Sequence, residues 1–142
     1  MAFSGNLFSR EFFDLASSRL TPGGIFSTYV PTERTLRTLV QAFPYVIDFH
    51  APDFASFAIA SNEPLRFDPA QVLVALHSGE VRNYLDASGE RRGVEQLVRR
   101  YLRQVRVEHI RGDAREPFFE GDVNTDLFPR DEFNHHYSGD YQ

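Results

Sequence analysis

Apolar residues recur along the first part of the chain at spacings that alternate between helix and strand. Phe12, Phe13, Leu15, Ala16 and Leu20 gather on one helical face behind Ser9, with Glu11 and Asp14 near the amino end, which predicts a helix over about 9–20. Thr21-Pro22-Gly23-Gly24 stops it, since proline cannot continue a helix and glycine accepts positive φ. Ile25–Val30 is aromatic and β-branched without a charge, and so predicts a strand covered on both faces, as inside a parallel sheet. Pro31-Thr32-Glu33 opens a second helix, buried along Leu36, Leu39, Val40 and Phe43 and wet along Arg34, Arg37 and Gln41, and Pro44 ends it. Two apolar runs follow, Tyr45–His50 and Phe54–Ser61, separated by Ala51-Pro52-Asp53, which suits a hairpin.

Beyond Pro64 the periodicity becomes helical. Asp68 is an N-cap before Pro69, and Val72, Leu73 and Leu76 share a face, with a further short turn ending near Leu85. After a polar connector over 86–92, Val94, Leu97, Val98, Tyr101, Leu102 and Val105 mark an amphipathic helix whose wet face carries Arg99, Arg100, Arg103 and Arg106. From Arg111 onward glycine, proline and acids dominate, which predicts an irregular tail. The division is a layered core over 1–64, a helical extension packed on it over 65–110, and a tail over 111–142. Alternation of helices with buried strands makes the fold class α/β, its last two strands antiparallel.

Composition narrows the chemistry. The 142 residues contain no cysteine, which excludes disulfides, thiolate nucleophiles and iron–sulfur clusters and favours a cytoplasmic setting. All fifteen basic side chains are arginine, so no side-chain amine is present to form a Schiff base or serve as a tuned general base. A net charge of −5 disfavours general nucleic-acid binding and suits a cationic ligand. No apolar run is long enough to insert this chain in a membrane as a helix, and the opening residues do not resemble a signal peptide.

The conspicuous motifs dissolve when tested. Asp122, Asn124 and Asp126 imitate the start of a calcium loop, but Leu127 and Phe133 stand where an EF-hand needs glycine and glutamate. Glu132 and His135 have metal-pair spacing with no second pair to complete a site, so no metal is expected. The arginine stripe reads as a solvated face rather than a nucleic-acid footprint, with Glu95 and Glu108 bracketing it. No Walker loop, serine-hydrolase elbow, H-E-x-x-H or G-x-G-x-x-G occurs, and Gly23-Gly24 precedes a strand where a nucleotide loop would follow one.

The stretch NLFSREFFDLASSRLTPGGIFSTYVPT, residues 6–32, resembles the spermidine-synthase-like family of aminopropyltransferases, in which a similar helix, an L-x-P-G-G turn and a strand succeed one another. The order continues through Ala42-Phe43-Pro44-Tyr45-Val46, Glu63-Pro64-Leu65-Arg66-Phe67-Asp68 and Asn124-Thr125-Asp126…Pro129…Glu132-Phe133, which look like the branch of that family often fused to membrane transporter segments. The resemblance spans roughly residues 5–133. It implies the C-terminal half of a Rossmann-like class I methyltransferase sheet, as helix, strand, helix and β-hairpin, followed by a small helical extension. It also implies aminopropyl transfer from decarboxylated S-adenosylmethionine, a co-substrate and not a tightly bound cofactor, to a polyamine.

By the same resemblance Gly5 and Leu7 lie beside the nucleoside, and Thr28 and Tyr29 sit at the mouth of the strand facing the polyamine. Asp126 and Glu132 approach from the tail. The family's glycine-rich loop, ribose-holding acid and catalytic aspartate all match positions upstream of Asn6, so no catalytic residue is assigned and the chain alone is expected to be inactive. Thr28 replaces a common glutamine and Leu127 a common aspartate, which leaves the polyamine open. The expected partner is a second copy or a separately encoded N-terminal half. The alternative is a non-catalytic interaction module that docks through an exposed sheet edge or the arginine-rich helix.

Overall fold

The computed structural model describes residues 5–112, 122, 123 and 125, with Gly5 and Asn6 described in their backbone only. A 3-10 turn, Gly5–Phe8, leads into α1, Arg10–Arg19. Ser9 caps α1 as its sequence position predicts, its Oγ accepting the Phe12 N–H at 3.1 Å while the residue is fully buried. The turn after α1 reverses the chain at Gly23, whose φ of +70° is a conformation that side chains resist. That turn is tied down from the far end of the sheet. Ser61 Oγ donates to the Gly24 carbonyl at 2.8 Å, and the Gly23 N–H donates to Glu63 at 3.0 Å.

Next come β1, Phe26–Tyr29, and α2, Glu33–Ala42, whose N-cap Thr32 accepts the Thr35 N–H at 3.1 Å. The hairpin strands are β2, Tyr45–His50, and β3, Phe57–Ser61, joined by a loop over 51–56. Three helices follow: α3, Pro69–Leu76; α4, Gly79–Ser88; and α5, Arg91–Gln104. Asp68 caps α3 by accepting the Ala70 N–H at 2.9 Å, with Pro69 in its first turn. The chain then returns to the sheet as β4, Arg106–Arg111.

The fold is therefore mixed α/β, as expected, with the strand order β1-β3-β2-β4 among the described residues. Every neighbouring pair is antiparallel, which corrects the expectation that β1 lies inside a parallel sheet. Among the described strands β1 has one neighbour, β3, and Ser27 and Tyr29 alternate exposed against half-buried Phe26 and Thr28. An uncharged run suits a covered strand and an edge strand equally well, and the sequence pattern does not separate them. β4 is absent from the elements read from the sequence, where helical character extends through Val105. Only Val107 and Ile110 are apolar in it, and its place beside β2 depends on pairing with a strand some sixty residues away.

Two cores hold the sheet. On one face α1 and α2 bring Phe13, Leu36, Leu39, Val40 and Phe43 against Val46, Ala58, Ala60 and Ile110. Alanines at 58 and 60 let the helices come close, and Phe26 stacks on Phe43 at a centroid distance of 5.6 Å. On the opposite face Phe49 stacks on Phe57 at 4.7 Å and meets Phe67 edge-on at 4.9 Å, and Tyr101 of α5 covers Phe54 and Phe57. Arg100 adds an ion pair to Asp53 at 2.6 Å, so the helical extension is anchored on the β2–β3 loop.

Gly112 closes the sheet against α2. A Cβ there would collide with the Val40 and Phe43 carbonyl oxygens, whereas Gly93 in α5 has open space around it. Gly112→Ala is expected to lower the unfolding free energy by about 1–3 kcal/mol through overpacking, and Gly93→Ala to raise it by up to about 1 kcal/mol through helix propensity. Urea denaturation of the two variants beside the parent chain measures both.

Candidate functional site

The direction of the strands decides where the chemistry gathers. β1 and β2 both oppose β3, so they run the same way, with α2 crossing from the carboxyl end of one to the amino end of the other. Pairing then aligns four residues in one row across the sheet: Thr28 opposite Ala58, Ala58 opposite Asp48, and Asp48 opposite Glu108. Directly opposed residues share a face, with Cβ atoms about 4.5–5.5 Å apart. The row therefore stands on the face covered by α1 and α2, two residues beyond Val46 and Ala60. Toward the strand ends His50 faces Arg106, and its Nδ1 lies 2.7 Å from Ser56 Oγ.

Asp48 is the electrostatic centre of this row. It is half-buried, and its Oδ1 is shielded from solvent with no hydrogen-bond partner. Burial pushes its carboxyl above the usual range and the neighbouring Glu108 charge pushes it further, against a smaller opposing pull from His50 and the Phe49 N–H. Two acids side by side across β2 and β4, one with an unpartnered Oδ1, form a place that a ligand with a positive charge and several N–H groups would satisfy. Ala58 between Thr28 and Asp48 leaves the row low in the middle.

The residues expected from the sequence fall in different places. Thr28 belongs to the row; it is half-buried, and its hydroxyl donates to the Tyr29 carbonyl at 3.2 Å. Tyr29 is 52% exposed on the opposite face, because successive strand residues point to opposite sides. Gly5 and Leu7 belong to the turn before α1, packed on α1 and α2, and Leu7 is exposed. Asp126 and Glu132 lie outside the described residues. Asp48, His50 and Glu108 were not among the candidates read from the sequence. A usable signal existed for Asp48, the one acid inside the apolar run Tyr45–His50, whereas Glu108 had none without β4.

Elsewhere several surface charges pair with one another. Arg99 binds Glu95 at 2.8 Å and holds that carboxyl below its usual range, and Arg91 binds Asp86 at 3.0 Å. Arg100 and, less strongly, Gln104 hold Asp53 below its usual range as well. The arginine stripe of α5 is thus partly neutralised by its own acids. An apolar groove of about 350 Å³ lies between the β2–β3 loop and α5, lined by Phe54, Ala55, Phe57, Leu97, Val98 and Tyr101. Burial, with Asp48 adding to it, pushes the Tyr101 phenol up. Among the described residues no cluster of His, Asp and Glu could hold a metal ion, and no helix is long and apolar enough to cross a membrane.

No family model, no curated protein and no solved structure matches this chain.

The Asp48 shift has a definite sign in stability. The native carboxyl binds its proton more tightly than the unfolded one, so stability falls as pH rises from the ordinary aspartate value through the native one. At neutral pH the ionised side chain is a cost that Asn would not incur. Asp48→Asn is expected to melt higher than the parent at pH 7, with the difference shrinking toward zero below pH ~4. Melting curves across that range check it, and a gain independent of pH would contradict it.

Proposed function

We propose that the chain forms the amine-binding side of an aminopropyltransferase-like site, taking a polyamine as its ligand. The observation that carries this reading is the row of Thr28, Asp48 and Glu108, in which two adjacent acids go without a neutralising arginine among the groups acting on Asp48. The row lies toward the carboxyl ends of β1 and β2, the end at which open α/β sheets take their ligands. Parallel β1 and β2 joined by α2, with a reversed strand inserted between them, is the arrangement expected of the last part of a Rossmann-like methyltransferase sheet, and the resemblance of residues 6–32 to spermidine-synthase-like proteins points the same way.

In this reading an ammonium of the polyamine sits between Asp48 and Glu108, with the Thr28 hydroxyl at the far end of the row. The bound cation offers a donor to Asp48 Oδ1 and offsets the repulsion between the acids. Aminopropyl transfer requires the attacking nitrogen to lose its proton before it displaces the sulfonium of decarboxylated S-adenosylmethionine. Nothing among the described residues forms a glycine-rich turn after a strand, so no step through the nucleoside is assigned to this chain. Its own residues hold and orient the amine, and turnover requires a nucleotide-binding half supplied to it.

A second reading, a non-catalytic interaction module, is favoured by the edge of β1, which has no neighbouring strand on that side among the described residues, and not by α5, where Arg91, Arg99 and Arg100 are paired with acids. Titration calorimetry distinguishes the two. Spermidine or putrescine is expected to bind, methylthioadenosine to give no heat, and Asp48→Asn to weaken polyamine binding about tenfold, the loss of roughly one charge-assisted hydrogen bond. Silence toward both polyamines, or unchanged affinity in the variant, overturns the proposal.

A further inference from the structure

The two edges of the sheet are built differently. β4 presents Arg106, Glu108, His109 and Arg111, all exposed, and such charges discourage another strand from adding to an edge. β1 has none of these devices. The thirteen residues Leu20–Thr32 around it contain no charge in a chain that is 25% charged, and β1 itself has neither proline nor bulge. Beside it two large apolar side chains stand in solvent, Ile25 at 59% and Tyr29 at 52% exposure.

The geometry of β1 selects one way to cover that edge. The Val30 N–H points inward to the Ser56 carbonyl at 2.9 Å, so backbone groups of the even residues face β3 and those of Ser27 and Tyr29 face outward. A second copy running antiparallel about a two-fold axis through Ser27 sets Ser27 opposite Ser27 and Ile25 opposite Tyr29, twice. Each of these is a pair whose outward N–H and C=O groups meet. Ile25, Ser27 and Tyr29 all occupy the exposed face, so each copy's Ile25 covers the other's Tyr29. Shifting the axis to Thr28 would set Ile25 opposite Pro31, which has no N–H to give. The uncharged segment also lets two chains of net charge −5 meet without opposing like charges at the contact.

We propose that β1 pairs with β1 of a second copy, antiparallel and centred on Ser27, so that two four-stranded sheets join into one continuous sheet. The occupant is the chain itself, by symmetric strand addition. The acids of the polyamine reading, Asp48 and Glu108, lie on the other face, on β2 and β4, whereas a nucleotide-binding half that continued the sheet would compete with the second copy for this same edge.

The test uses the 142-residue chain, which contains no native cysteine to interfere. Sedimentation velocity is expected to show a dimer. Ser27→Pro, which removes an outward N–H that the monomer does not use, and Tyr29→Lys are each expected to halve the sedimenting mass while keeping a cooperative melt. Ser27→Cys is expected to form a symmetric disulfide on mild oxidation, while Glu108→Cys on the other edge stays largely reduced. A parent chain that sediments as a monomer overturns the proposal, as does a dimer that survives both edge variants or a Ser27→Cys chain that cross-links no faster than Glu108→Cys. A strand from a different polypeptide occupying this edge would give the first of these results.

Discussion

The structure depends on β2 being enclosed on four sides. β3 and β4 take its backbone hydrogen bonds, the α1–α2 layer covers Val46, and on the opposite face Ile47 is fully buried and Phe49 packs against Phe57 and Phe67. Val46, Ile47 and Phe49 of this strand are buried, and so the one acid among them becomes the most consequential side chain in the sheet. Asp48 is half-buried with one carboxylate oxygen shut off from solvent, and its opposite number on β4 is another acid. Burial and the Glu108 charge outweigh the help that His50 and the Phe49 N–H give it, the condition under which a buried polar group signals a ligand more readily than a contribution to stability.

Much of the architecture could be read from residue patterns because its signals are local. Ser9, Thr32 and Asp68 are short oxygen-bearing residues ahead of helical periodicity, and each caps a helix by accepting a backbone N–H of its first turn. Pro44 and the Ala51-Pro52-Asp53 break bound the first hairpin strand for the same reason, whereas the second begins at Phe57 and not at Phe54, because the loop runs over 51–56. What escaped was set by distant contacts. β4 has too few apolar residues to announce itself, and the edge position of β1 follows from strand order, which pairing across the chain determines. Of the site, Thr28 came from resemblance and lies in the row, whereas Tyr29 points away from it because strand neighbours alternate. Asp48 was visible as an acid in an apolar run, but its significance required Glu108 and hence β4.

The strand order also separates two roles within one small sheet. The α1–α2 face carries the acid row, and the opposite face near β1 carries Ile25 and Tyr29. Ser61 and Glu63, at the end of β3, pin the Gly23–Gly24 turn from which β1 emerges, so the edge strand and the site share a rigid base. On the far side Arg100, Arg91 and Arg99 of α5 pair with Asp53, Asp86 and Glu95, and the Arg100 pair makes the extension a brace for the hairpin loop.

The most direct test of the central claim is an NMR titration of the Asp48 carboxyl, with and without spermidine. The account predicts a pKa above the ordinary aspartate range in the free chain and a clear fall when spermidine is added, as a bound ammonium replaces the missing donor and opposes the Glu108 charge. An ordinary pKa in the free chain, or a raised one that spermidine does not move, would contradict it.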